Sequence, residues 1–178
     1  SLGYPVVLKA VASDLAHKTE QRAVSLNLQD EDALSKAVES MRDRFDQFLV
    51  ERMVGPAVAE FIVGIHRDPI FGVSLLIGSG GTLVELFGDT VSLLLPVQRH
   101  EIESAMSGLK ANRLLDGYRG MPTGDREAVM DAIERIGHYA GAHSDDLIEV
   151  DINPLLATPD GAIAVDAKLR VTKALERG

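Results

Sequence analysis

The segment Leu147-Ile148-Glu149-Val150-Asp151-Ile152-Asn153-Pro154 alternates apolar and polar residues with the period of an extended strand. Glu149, Asp151 and Asn153 fall on one face, and Ile148, Val150 and Ile152 on the other. A turn containing Pro159-Asp160-Gly161 leads to a second strand-like run over 162–168, in which Asp166 and Lys168 share one parity and Val165 and Ala167 the other. Paired antiparallel, the two runs let a patch of carboxylate and amide oxygens from these faces converge. Hard oxygen donors without His or Cys suit Mg2+ or Mn2+ rather than zinc, and Mg2+ usually takes substrate phosphate as well. The same spacing suits a solvated strand face with a turn at Asn153-Pro154, and the residues alone leave both readings open.

Upstream, residues 125–142 place Val129, Ala132, Ile133, Ile136 and Ala140 along one side of an amphipathic helix. Before it, 57–66, 72–77, 82–86 and 90–95 read as short strands, punctuated by Asp68-Pro69, Gly78-Ser79-Gly80-Gly81 and Gly88-Asp89. That spacing predicts an antiparallel meander. Residues 101–109 read as a short helix and 116–124 as a loop. Near the start, Pro5-Val6-Val7-Leu8 reads as a buried strand closed by Lys9, and 12–22 as a polar stretch. Val24, Leu26 and Leu28 alternate with polar residues as in a strand. Asp30 offers a helix cap, and Leu34, Ala37, Val38, Met41, Phe45 and Phe48 recur at helical spacing behind it. A strand over 49–53 ends at the breaker Gly55-Pro56. Mixed elements joined by antiparallel hairpins predict an α+β fold, with mixed or antiparallel sheets and packed helices, rather than a doubly wound parallel sheet.

The 178 residues carry 18 Lys+Arg against 27 Asp+Glu, a formal net charge of −9. That balance argues against a nucleic-acid surface, which needs clustered cations. No apolar run approaches the ~18 residues of a membrane span, and no signal peptide is visible. The absence of cysteine excludes disulfides, thiol catalysis and cysteine-based zinc sites, and is compatible with the cytoplasm. The run begins at Ser1, almost at once inside a strand, and reads as a piece of a larger polypeptide.

Three further features bear on chemistry. A cation closing a buried strand, as Lys9 does, needs an anion, either phosphate or a neighbouring carboxylate. The Gly78–Gly81 run can bring backbone N–H groups to phosphate, or be only a turn, and no Gly-Lys-Ser/Thr follows it as in a Walker loop. His17, beside Lys18 in the polar stretch, has the chemistry to relay a phosphoryl group, or is a surface histidine.

In chain order the pieces carry a resemblance. Gly3-Tyr4-Pro5-Val6-Val7-Leu8-Lys9 is followed by Ala16-His17-Lys18-Thr19-Glu20, Val50-Glu51-Arg52-Met53-Val54 and Glu60-Phe61-Ile62-Val63-Gly64. Then come Arg67-Asp68-Pro69-Ile70-Phe71-Gly72, Gly80-Gly81-Thr82-Leu83-Val84-Glu85 and Leu115-Asp116-Gly117-Tyr118-Arg119-Gly120, and finally Asp151-Ile152-Asn153-Pro154-Leu155 and Val165-Asp166-Ala167. This series resembles, over essentially the whole chain, the ATP-grasp domain of NDP-forming acyl-CoA synthetases. These are the ADP-forming acetate–CoA ligases, related to the succinyl-CoA synthetase β subunit.

The resemblance implies an ATP-grasp fold lacking its N-terminal lobe, with 1–54 and 55–178 as lobes of a partial domain in a larger multidomain chain. It implies ATP or ADP and Mg2+ as cofactors. Lys9 would bind phosphates, Glu51, Arg52, Met53 and Val54 would form the hinge that reads adenine through backbone groups, and Glu60 would hold the ribose. Asn153 and Asp166, with Asp151 beside them, would hold Mg2+. The implied reaction interconverts acyl-CoA, ADP and phosphate with carboxylate, CoA and ATP through a phosphohistidine, with His17 as a second carrier. The implied partners are CoA-binding and succinyl-CoA-ligase-like domains of the same protein or a partner subunit, with CoA and a carboxylic acid as substrates.

One departure matters. Where the family usually has a Val-Gly-Gly-Val-like stretch, this chain has Gln21-Arg22-Ala23-Val24. Side chains there oppose close backbone approach and positive φ. The alternative reading is therefore a degenerate nucleotide-sensing or regulatory domain, of the kind fused to acetyltransferases.

Overall fold

β1 (Val6–Ala10) runs between β2 (Val24–Leu28) and β3 (Phe48–Arg52) in a three-stranded antiparallel sheet. The computed structural model describes residues 2–11, 23–81 and 88–172. His17 and the rest of 12–22, and the strand expected over 82–86, lie outside the described residues. Short β-branched runs make β1 a strand, and α1 (Glu31–Met41) covers one of its faces. There Leu34, Ala37, Val38 and Met41 pack with Leu8, Phe48 and Val50. Asp30 starts the helix: its Oδ1 accepts the Ala33 N–H at 2.8 Å.

Two local expectations change here. The helical spacing runs on through Phe45 and Phe48, but α1 stops at Met41, where the N–H groups of Arg44 and Phe45 both turn back to the Met41 carbonyl. Both aromatics still join the core under α1, so their spacing records a shared core and not one helix. In β2, strict alternation puts Leu26 with Val24 and Leu28, yet Leu26 is exposed. Leu8 pairs with Ser25 while Val6 pairs with Leu28, so β2 holds one extra residue. Asn27, at φ 59°, adopts the left-handed conformation of this bulge and turns Leu28 inward instead.

Packing divides the chain at Gly55-Pro56 into two units, Ser1–Gly55 and Pro56–Gly178. In the second unit β4 (Ala59–Asp68), β5 (Gly72–Ser79) and β6 (Thr90–Leu94) form an antiparallel meander. β7 (Leu147–Thr158) lies on the other side of β4, and β8 (Gly161–Ala164) and β9 (Ala167–Val171) pair with its two halves. Phe61, Val63 and Ile65 of β4 and Leu75 and Ile77 of β5 point into the core. They meet Ile102 and Met106 of α2 (Arg99–Ser107) and Val129 and Ile133 of α4 (Arg126–Ala142). α3 (Lys110–Leu114) follows α2 directly.

By alternation, Glu60, Ile62, Gly64 and His66 occupy the opposite face of β4. The result is an α+β fold with antiparallel sheets. The last hairpin differs from expectation in one respect. β7 does not end at Asn153 but continues to Thr158, and the return run is divided, with Val165 and Asp166 between β8 and β9.

Candidate functional site

The division of the return run decides where the oxygen donors stand. Against β4, β7 carries one extra residue: Val63 pairs with Ile152 and Phe61 with Leu155, so Asn153 and Pro154 together face Ile62. This bulge keeps both Ile152 and Leu155 in the core and leaves Asn153 exposed. On the far side the return chain follows the bend. Asp151 pairs with Lys168 and Ile152 with Ala167, and beyond them Leu155 pairs with Ala164. Between these pairs the Asn153 N–H donates to the Asp166 carbonyl at 3.2 Å, and the Val165 N–H to the Pro154 carbonyl at 3.2 Å.

Asn153 therefore stands opposite Asp166, and Asp151 lies two residues along the strand on the same parity. Gly64 of β4 pairs with Asp151, so by alternation Glu60 shares that sheet face. Two carboxylates and an amide oxygen are a donor set that Mg2+ accepts. Among the described residues no cluster of three His, Cys, Asp or Glu side chains forms a metal site.

In the first unit, Lys9 pairs with Leu49 and Glu51 with Val7, which makes Lys9 and Glu51 diagonal neighbours on one sheet face. Their side chains form an ion pair, with Lys9 only 14% exposed and Glu51 42%. The anion that a cation at the end of this buried strand requires is thus present within the sheet. Further along the segment, the Met53 N–H donates to the Pro5 carbonyl at 3.0 Å and is spent within the sheet. Among the described residues β3 is an edge strand, so alternate backbone groups of 51–54 point away from β1.

Glu60 borders a cavity of about 440 Å³ in the second unit, lined also by Val58, Ser79, Gly80, Asp89 and Lys110. The glycine run on its rim has a packing role. The Ser79 N–H donates to the Asp89 carbonyl at 3.0 Å and the Gly80 N–H to the Glu60 carbonyl at 2.6 Å, so neither is available to a phosphate. A Cβ on Gly80 would stand 2.8 Å from the Glu60 Cβ and 2.9 Å from its carbonyl carbon. Glycine is needed there because two backbones touch.

Ser79, Asp89 and Lys110 form a network on this rim that the local sequence pattern does not announce. Ser79 is buried, its hydroxyl donates to Asp89, and it accepts the Ala111 N–H at 2.9 Å. Asp89 Oδ2 also accepts the Lys110 N–H at 2.8 Å. This network ties the β5–β6 end to the start of α3. In the sequence Gly88-Asp89 marks a turn but not the partner 21 residues away.

Burial opposes ionisation of Asp89, but the Ser79 hydroxyl and the Lys110 N–H, with the charges of Lys110 and Arg113, outweigh it. Its carboxyl is held below the ordinary value of 3.8. A carboxyl lowered on folding stabilises the fold above its unfolded pKa and loses that contribution as pH falls through the folded one. Acid unfolding should therefore steepen below about pH 4, and Asp89→Asn should flatten that limb. Identical acid limbs in circular dichroism for the two proteins would refute the role of this tie.

The loop over 116–124 is fastened by Arg126, which donates to Asp116 at 2.8 Å and to the Asn112 carbonyl at 3.2 Å. Gly117, at φ +84°, has no room for a side chain: its Cβ would lie 2.9 Å from the Met121 carbonyl oxygen.

Comparison with known proteins agrees with this architecture. The ATP-grasp domain family matches residues 1–171. Acetate–CoA ligase [ADP-forming] I subunit beta of Pyrococcus furiosus is 32% identical over 177 residues, covering 94% of this chain and 75% of that protein. Acetate–CoA ligase [ADP-forming] I of Archaeoglobus fulgidus is 33% identical over 95% of this chain, which spans only 26% of that longer protein. Among solved structures, the dinucleotide-forming acetyl-coenzyme A synthetase 1 of Ca. Korarchaeum cryptofilum, in complex with coenzyme A and Mg-AMPPCP, superposes with a TM-score of 0.82. It is 36% identical, with 96% of this chain and 78% of that chain covered. The bulged β7 strand and its divided partner thus sit in a chain that belongs to the ATP-grasp domain family and has ADP-forming acetate–CoA ligases among its relatives.

Proposed function

We propose that this chain is the nucleotide-binding module of an ADP-forming acyl-CoA synthetase, an acid–thiol ligase that interconverts acyl-CoA, ADP and phosphate with carboxylate, CoA and ATP. The observation that carries the reading is the placement of Asn153 opposite Asp166, beside Asp151, on the sheet face that Glu60 shares. Asp151, Asn153 and Asp166 would hold Mg2+. When bound, the ion neutralises phosphate oxygens and fixes their geometry, which is most of what phosphoryl transfer asks of a protein.

Lys9 supplies a further cation for the phosphates. The segment Glu51, Arg52, Met53 and Val54 reads the base through the backbone groups that point away from β1, by alternation those of Arg52 and Val54, since the Met53 N–H is taken by Pro5 and Glu51 pairs with Val7. Glu60, at the rim of its cavity, takes the ribose hydroxyls. His17 is proposed, on the family resemblance, to relay the phosphoryl group. CoA-binding and succinyl-CoA-ligase-like domains, in the same protein or a partner subunit, would bring CoA and the carboxylic acid. We place the enzyme in the cytoplasm; no helix among the described residues is long and apolar enough to cross a membrane.

The test is to incubate the intact protein with CoA, Mg-ATP and a panel of carboxylic acids and to identify the nucleotide product. Acid-dependent ADP is expected. Lys9→Met should weaken Mg-ADP binding by roughly 10- to 100-fold, the value of a charge-assisted contact. No ADP from any acid, with Mg-ADP affinity unaltered in Lys9→Met, would overturn the reading. It would favour the regulatory role that Gln21-Arg22-Ala23 motivates.

A further inference from the structure

The Lys9–Glu51 pair has a consequence for the nucleotide. We infer that the Glu51 carboxylate, beyond the backbone role of its segment, acts as a counter-ion to Lys9 that competes with nucleotide phosphate for it. This rests on the reading of Lys9 as a phosphate ligand. The two side chains lie diagonally on neighbouring strands, on the sheet face opposite the one α1 covers. Glu51 Oε2 is buried, and among the described residues it meets no hydrogen-bond donor of good geometry, only the Lys9 ammonium. That oxygen is therefore directed at Lys9.

A phosphate that approaches Lys9 arrives beside a carboxylate already bound to it. The ammonium must share its donors, and the two anions repel at a few ångströms. Glu51 thus lowers affinity for the phosphates and leaves the base and ribose untouched. Glu51 is a positioning residue, acting on the nucleotide through Lys9. A contact to adenine by the Glu51 side chain would have the opposite signature, because its loss weakens binding of any adenine nucleoside.

The experiment measures ADP binding by calorimetry and adenosine binding by saturation-transfer NMR on the intact protein, with wild type, Glu51→Gln, Glu51→Asp and Lys9→Met. Glu51→Gln is expected to bind ADP about fivefold tighter, the order of one unit-charge interaction at this range, with adenosine unchanged. Glu51→Asp, whose shorter carboxylate reaches Lys9 less well, should fall between them, and it keeps the test open if Glu51→Gln folds poorly. Weaker binding of ADP and adenosine alike in the Glu51 variants overturns the inference. Equal ADP affinity in wild type and Lys9→Met instead removes the reading on which it rests.

Discussion

Replacement of Asp166 by alanine is expected to reduce Mg2+-dependent nucleotide turnover of the intact enzyme by two orders of magnitude or more, with little change in thermal stability. Even a residue that only orients a metal ligand typically accounts for a 10- to 100-fold effect, and a ligand itself for at least that. Stability should hold because the strand pairing at this point uses the Asp166 backbone carbonyl, which accepts the Asn153 N–H at 3.2 Å and survives the substitution. Lowering side-chain bulk between β8 and β9 also opens no core cavity, since Asp166 is not among the buried residues. Initial rates across a Mg2+ titration, with a parallel melting curve, decide the matter. Ordinary turnover at ordinary Mg2+ would remove Asp166 from the site.

The second large effect is expected at Gly80. Valine there should destabilise the second unit by about 2–3 kcal/mol, the upper range for forcing extra atoms into a filled space. The obstruction is backbone and Cβ of Glu60, at 2.8 to 3.0 Å from the added carbon, and these cannot swing aside as a side-chain tip can. β4 and β5 must separate locally, and the Gly80 N–H to Glu60 carbonyl bond of 2.6 Å is lost with them. Because Glu60 borders the cavity, adenosine binding should weaken in the same variant. Urea unfolding of the intact protein within about 0.5 kcal/mol of wild type, the range of an indifferent surface change, would contradict the described packing.

Much of this architecture was legible in the chain because the signals are local. Asp30 caps α1 as its type and place suggest, since the bond it makes reaches only three residues ahead. The meander over β4, β5 and β6 follows from short apolar runs broken by Asp68-Pro69 and Gly88-Asp89. Local signals also misled where two elements share one core. Phe45 and Phe48 keep helical spacing because they face the same interior as Met41, although the chain has already left the helix. Leu26 keeps strand spacing although a bulge beside it reverses the parity of β2. The glycine run at 78–81 was legible as unusual backbone, but its purpose is the contact between Gly80 and Glu60, twenty residues apart in sequence.

Residue order alone sets the chemistry offered at each strand face: Glu149, Asp151 and Asn153 on one parity, Asp166 and Lys168 on another, Lys9 at the end of an apolar strand. Period-two alternation is a property of a single extended chain and needs no partner to be read. Which of these groups meet is settled by packing. Pairing register is set by long-range packing, and one bulged residue in β7 keeps Ile152 and Leu155 both in the core. A return strand that follows the same bend then sets Asn153 opposite Asp166. The same holds for Lys9, whose partner Glu51 lies on another strand, and for Ser79 and Asp89, joined to the start of α3. Each of these contacts depends on how strands and helices pack, and that is a property of the folded chain.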